Sequence, residues 1–177
     1  MATPEPAGKP SDAAQSRRPT PTHQGPKSRR RDKLGLSVLV VDDDPDDLEL
    51  ILAVLRPHLA VSEYQCATDG EEGLAVLEHS DFAPDLILLD LNMPRLGGLD
   101  LLAKARKLAK CAATPVIVLT TSGRMEDVRG ALQRGASGYI IKPDRAKDLE
   151  ERLDAVIHGV MKDVLLDQRM RRLEAPR

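Results

Sequence analysis

Hydrophobic and polar positions along this chain fall into five short strand-like runs, most of them apolar, separated by stretches with helical spacing. The runs are Leu36–Val41, Val61–Ala67, Asp85–Leu89, Pro115–Thr120 and Ser137–Ile141. The third is the most informative. Leu86-Ile87-Leu88-Leu89 is bounded by Pro84 before it and by Asn92 and Pro94 after it. That pattern suits a short strand buried on both faces, the central strand of a parallel sheet. Between the runs, apolar residues recur three and four positions apart, as in Leu48, Ile51, Leu52 and Leu55, or Leu74 and Leu77. Helices are predicted from Pro45 to near Pro57, from Gly70, over Leu99–Lys110 and Gly123–Arg134, and from Asp144 or Ala146 past Met170.

Local chemistry marks several helix ends. Asp44 precedes Pro45, and an Asp cap followed by Pro at the first helical position is a favoured start. Asp46 and Asp47 lie in the first turn, where the helix dipole favours negative charge. Gly135 follows the fourth helix as a left-handed cap, and Asp144 is placed to cap the last. Strands alternating with helices on short loops mean βα units and a parallel sheet. Right-handed crossovers then put helices on both faces.

In such a sheet the chemistry lies outside the carboxyl ends of the strands. Four strand ends carry polar groups there: Asp42 and Asp43 after the first, Asp90 after the third, Thr120 after the fourth, Lys142 after the fifth. Clustered carboxylates raise one another's pKa unless a cation intervenes. An all-oxygen acidic site fits Mg²⁺. A carboxylate can also act as a nucleophile and form an aspartyl-phosphate. Thr120 and Lys142 would then serve the phosphoryl oxygens.

Composition narrows the picture. The chain has 177 residues and a net charge of −2, enough for one domain with tails. Its first 33 residues hold eight Lys or Arg against three Asp or Glu, a balance of +5, which leaves −7 for the remainder. This Pro-, Ser- and Arg-rich segment has no apolar periodicity, so residues 1–34 are expected to be a disordered tail. The Lys27–Lys33 cluster reads as a solubilising tail rather than a nucleic-acid contact, because no aromatic residues are interleaved for stacking. With no Trp, two Tyr and one Phe, the core must be aliphatic. Cys66 and Cys111 lack metal-ligand spacing and are read as reduced, in a cytoplasmic protein. No apolar run approaches a membrane span, and the sequence shows no signal-peptide pattern.

The motifs Val-Val-Asp-Asp-Asp-Pro, Leu-Asp-Leu-Asn-Met-Pro, Leu-Thr-Thr-Ser, Gly-Ala-Ser-Gly-Tyr and Lys-Pro occur in that order over Leu36–Gly159. Together they resemble the receiver domain of two-component response regulators, in particular small stand-alone receivers of the chemotaxis or phytochrome-partner type. The resemblance implies a flavodoxin-like (βα)5 sheet in the order 2-1-3-4-5. It implies Asp90 as phosphoacceptor, and a Mg²⁺ or Mn²⁺ site from Asp42, Asp43, Asp90 and the Asn92 backbone carbonyl. Lys142 would pair with the phosphoryl group, Thr120 would donate a hydroxyl to it, and Tyr139 would be the switch aromatic. The implied partners are a sensor histidine kinase, phytochrome-like kinases included, and a downstream protein. Two positions depart from the family pattern. Gly97-Gly98 replaces the usual Asp-Gly, and Asp144 follows Lys142-Pro143 where an apolar residue is common.

The expected organisation is therefore a tail over 1–34, a receiver over 35–159 and a helical extension over 160–177, with no DNA-binding domain. Met161, Val164, Leu165 and Leu166 continue the apolar pattern of the last helix beyond what a sheet needs to cover. A homodimer through 144–173, with the fourth helix and fifth strand alongside, would bury them. Two other functions compete with this reading. One is a receiver-like scaffold no longer controlled by phosphate. The other is a phosphohydrolase of the haloacid-dehalogenase type, which needs Asp-x-Asp-x-Thr/Val after its first strand. Asp42-Asp43-Asp44-Pro45-Asp46 satisfies only the first half of that pattern.

Overall fold

The computed structural model describes residues 35–79 and 81–174, with side chains described as far as Met170. The tail expected over 1–34 lies outside the described residues. Five strands alternate with five helices: β1 Leu36–Val41, α1 Pro45–Leu55, β2 Val61–Ala67, α2 Gly70–His79, β3 Leu86–Leu89, α3 Gly98–Ala105, β4 Val116–Thr120, α4 Met125–Gln133, β5 Gly138–Ile141 and α5 Ala146–Glu174. All strand pairs are parallel, and the sheet order is β2-β1-β3-β4-β5. This is the flavodoxin-like (βα)5 fold that the motifs imply.

The two-residue period of a strand sorts the core onto two faces. Leu36, Val38 and Val40 of β1 point to one side, where they meet Ile51, Leu52 and Leu55 of α1 and Leu149, Leu153, Ile157 and Val160 of α5. Leu39 and Val41 point to the other and pack with Leu77 of α2 and Leu101, Leu102 and Ala105 of α3. A smaller cluster of Leu91, Val118 and Ala131 holds α4, with Tyr139 at its margin. β1, β3 and β4 are buried on both faces, so their runs show no alternation of polarity.

The predicted ends hold at some helices and shift at others. Asp44 caps α1, its carboxylate accepting the N–H of Asp46 at 2.8 Å and of Asp47 at 3.4 Å. Gly135 takes the left-handed conformation, with φ of 91°. The Ala136 N–H reaches the Ala131 carbonyl and the Gly135 N–H reaches Leu132, closing α4 in a Schellman motif. Helix α3 stops at Ala105 instead of Lys110. The cause is Arg106, whose guanidinium donates to the carbonyls of Gly135, Cys111 and Thr114 and turns the chain toward β4. The first bond of α5 is accepted by the Arg145 carbonyl, so Asp144 stands one residue outside the cap position.

Helix α5 is also clasped to the α1–β2 loop. His58 accepts the Ala60 N–H at Nδ1, which leaves Nε2 to donate to the Asp154 carboxylate at 3.1 Å. His158, one turn after Asp154, bonds to its carbonyl. These three side chains gather their polar atoms within 4.8 Å of one another. With His58 Nδ1 already occupied as an acceptor, the group is a hydrogen-bond clasp.

Candidate functional site

The site forms where the sheet's hydrogen bonds run one residue past the strands. Asp42 N–H bonds to the Ala67 carbonyl, Asp90 N–H to Val41 and Lys142 N–H to Thr120. The backbone of each polar residue is thus set by the neighbouring strand, and all of them stand at one edge of the sheet. Asp42, Asp90 and Thr120 are buried, whereas Asp43 is exposed. Side-chain oxygens of Asp42, Asp43 and Asp90 lie within 4.8 Å of one another. That is the spacing at which one hard cation can bridge them.

Lys142 supplies the opposing charge. Its Nζ lies 2.6 Å from Asp42 Oδ2, 2.6 Å from Asp47 Oδ2 and 3.7 Å from Asp90 Oδ1. Burial pushes the Lys142 ammonium down, but its bonds to Asp42 and Asp47 outweigh that and leave its pKa raised. Burial also pushes the Asp42 carboxyl up to about 6, even with Lys142 against it. The three carboxylates of Asp42, Asp43 and Asp90 outnumber the one ammonium among them, and this all-oxygen donor set fits a divalent cation.

Asn92 joins two of the predicted residues. Its N–H donates to Asp90 Oδ2 at 2.7 Å, and its Nδ2 approaches Thr120 Oγ1 at 3.4 Å. Thr120 Oγ1 also receives the Ser122 N–H at 3.4 Å. Tyr139 is half-buried on β5, and its hydroxyl donates to the Ser122 carbonyl at 2.8 Å. Ser122 in turn donates to Asp127 of α4. A continuous chain of contacts thus runs from Asp90 through Asn92, Thr120 and Ser122 to Tyr139.

The loop after β3 is built around close approaches. A Cβ on Gly98 would fall inside contact distance of the Asp90 carbonyl oxygen and 2.8 Å from Leu91 Cα, so only glycine fits. Gly97, extended at φ −68° and ψ 157°, has only Leu91 O nearby at 3.7 Å. The missing acidic residue of the Gly97-Gly98 pair therefore removes a helix cap and leaves the tight packing at Gly98 intact. Arg95 takes a positive φ of 64° and forms an ion pair with Asp69, the buried residue that opens α2.

All seven site residues anticipated from the sequence, Asp42, Asp43, Asp90, Asn92, Thr120, Tyr139 and Lys142, lie at this edge of the sheet or along the chain of contacts leading from it. Asp47 and Ser122 escaped the sequence reading. For Asp47 a signal was present. Helix side chains tilt toward the N-terminus, so a carboxylate in the first turn after β1 leans back over the strand edge. Ser122 gave no signal beyond its place in a loop after a strand.

A doubly wound parallel sheet, with an acidic trio and a lysine at its carboxyl edge, defines a receiver-type module. The profile of the response regulator receiver domain matches residues 38–154, and the chain belongs to that family. It is 35% identical to the chemotaxis protein CheY-3 of Vibrio cholerae over 121 residues, covering 68% of this chain and 91% of CheY-3. It is 37% identical over 128 residues to the nitrate/nitrite response regulator NarL of Escherichia coli, covering 71% of this chain. The match spans 56% of the length of NarL. Among solved structures it resembles the phosphorylated cyanobacterial phytochrome response regulator RcpA, with TM-score 0.64 and 29% identity, covering 69% of this chain and 91% of RcpA. It also resembles the Mn²⁺-bound form of response regulator Rcp1, with TM-score 0.63 and 30% identity, covering 68% of this chain and 91% of Rcp1.

Proposed function

We propose that this chain is a phosphorylation-controlled signalling switch of a two-component system. The observation that supports it most is the convergence of Asp42, Asp43 and Asp90 within 4.8 Å, with the Lys142 ammonium beside Asp42 and Asp90. Asp90 is the phosphoacceptor. Its carboxylate oxygen attacks phosphorus, a P–O bond forms, the P–N bond of a phosphohistidine on a sensor kinase breaks, and the imidazole leaves. Asp42, Asp43, Asp90 and the Asn92 carbonyl would hold Mg²⁺ or Mn²⁺, which supplies charge neutralisation at the phosphoryl oxygens when bound. Asn92 N–H orients Asp90, while Lys142 and Thr120 take the new phosphoryl oxygens. The contribution of these residues is positioning and electrostatics.

Coupling then follows the path from Thr120 through Ser122 to Tyr139. A Thr120 hydroxyl drawn to a phosphoryl group gives up its Ser122 contact, which loosens the hold on Tyr139 and changes the α4–β5 surface. The protein acts in the cytoplasm by docking to a downstream partner and carries out no turnover chemistry beyond its own phosphorylation and dephosphorylation. Likeness to RcpA supports a phytochrome-type kinase as the donor. The described helices include none long and apolar enough to cross a membrane.

A homodimer through α5 belongs to the same reading. At 1.5 Å per residue, the 29 residues of α5 span about 43 Å. Met161 and Val164 still pack partly on the core, but Leu165, Leu166 and Met170 are about half exposed. Pairing with a second α5 would cover them. Leu165→Glu with Leu166→Glu should convert a dimer to a monomer in light scattering, and equal masses for both proteins would refute it. The central assignment is tested by intact-protein mass spectrometry after acetyl phosphate and Mg²⁺. Wild type should gain one phosphoryl group and Asp90→Asn none; equal labelling would defeat it.

A further inference from the structure

Lys142 is shared among three carboxylates in unequal ways. An ammonium has three protons to donate. Two go to Asp42 and Asp47 at 2.6 Å each, while Asp90 stands at 3.7 Å, too far for a hydrogen bond. The two close partners differ in freedom. The Asp42 side chain is 2% exposed and also accepts the Asp44 N–H at 3.1 Å, so it cannot leave. The Asp47 side chain is 27% exposed. Its backbone is pinned by the Asp44 cap, but its carboxylate has solvent to swing into.

We propose that Asp47 is a positioning residue that parks Lys142 away from Asp90 and is exchanged for a phosphoryl oxygen when the site is occupied. This rests on the reading of Asp90 as phosphoacceptor. A phosphoryl group on Asp90 places oxygens in the 3.7 Å gap between Asp90 and Lys142. The third ammonium proton meets that oxygen, and as the ammonium is drawn toward the phosphoryl group the contact it can give up is the one to Asp47, the more exposed of its two close partners. Asp47 acts in a second way as well. It is one more carboxylate at a pocket that must receive an anion. Both effects weaken retention of the phosphoryl group, so Asp47 sets how readily the switch turns on. Its partial exposure keeps the effect modest, roughly three- to tenfold in affinity for a phosphoryl mimic.

Beryllofluoride is the probe, titrated calorimetrically into wild type, Asp47→Asn and Asp47→Glu at saturating Mg²⁺. Asp47→Asn should bind it three- to tenfold more tightly, by the same estimate. Asp47→Glu, which keeps a carboxylate within reach of Lys142, should stay within about twofold of wild type on the same grounds. A second readout uses metal-free protein. The amide resonances of Asp90 and Lys142 in Asp47→Asn should shift along the line joining the free and beryllofluoride-bound wild-type positions. A merely structural role for Asp47 would not produce that direction. Unchanged or weaker binding by Asp47→Asn, or shifts off that line, would overturn the proposal and leave the phosphoacceptor reading standing. Wild type that fails to bind beryllofluoride, or Asp90→Asn that binds it equally, would overturn both.

Discussion

Gly98→Ala is the sharpest structural prediction, because its neighbours are all backbone. The added Cβ would sit 2.8 Å from Leu91 Cα and 3.0 Å from the Asp90 carbonyl carbon, and closer still to the Asp90 oxygen. Carbon atoms prefer about 3.5–4.0 Å, so the Leu91 contact alone is about 0.7 Å short. No side chain can rotate away to relieve it. The start of α3 must back off the end of β3, stretching the Gly98 N–H bond to the Leu91 carbonyl. Overpacking of this kind costs about 3 kcal/mol. At about 3 °C per kcal/mol for a domain of this size, the melting temperature should fall by roughly 10 °C. The control is Gly97→Ala one residue earlier. Its Cβ meets only Leu91 O at 3.7 Å and its φ suits any residue. There, loss of unfolded-state freedom should leave stability unchanged or raise it by about 0.5 kcal/mol. Urea denaturation of both variants is the assay, with phosphorylation as a second measure, since the clash falls on the backbone of Asp90. Equal midpoints for wild type and Gly98→Ala, or equal losses in the two variants, would refute the packing argument.

Other expectations concern the pocket and the core. Burial raises the Asp42 pKa from 3.8 to about 6, so the folded chain holds this proton more tightly than the unfolded one. In metal-free protein the Asp42 contribution should fall by about 3 kcal/mol as pH rises from about 4 to about 6 and stay low above that. The difference in stability between wild type and Asp42→Asn should therefore depend on pH in that window, and a flat difference would contradict it. Apparent Mg²⁺ affinity, measured by titration, should drop as pH falls below about 6, because a protonated Asp42 is a poor ligand. Thr120→Ala and Lys142→Ala should bind Mg²⁺ yet give weak beryllofluoride-induced shifts at Tyr139; a full wild-type response would refute their role. Leu153→Ala, fully buried on the inner face of α5, should cost about 3 kcal/mol in urea unfolding, whereas Leu166→Ala, half exposed on the same helix, should cost under about 0.5.

Much of this protein is readable from its sequence because the relevant physics is local. β1 occupies the residues that its apolar run predicts, since a strand in a covered sheet must be apolar where it is buried. The Asp44-Pro45 start and the Gly135 stop are visible because capping involves only a few adjacent residues. The site residues are legible for a related reason. A parallel sheet brings its carboxyl ends to one edge, so the order of Asp42, Asp43, Asp90, Thr120 and Lys142 along the chain already places them together. The tertiary structure decided what depends on distant neighbours. Helix α3 ends at Ala105 because the Arg106 guanidinium finds carbonyls as far away as Gly135. Gly97 and Gly98 look alike in sequence, yet only Gly98 faces the backbone of Asp90. Asp47 reads as a residue favourable to the helix dipole until folding brings Lys142, 95 positions later, to its carboxylate. No pattern of hydrophobic and polar positions encodes such a pairing, because it depends on how far α1 lies from the end of β5, a distance set by the packed core between them.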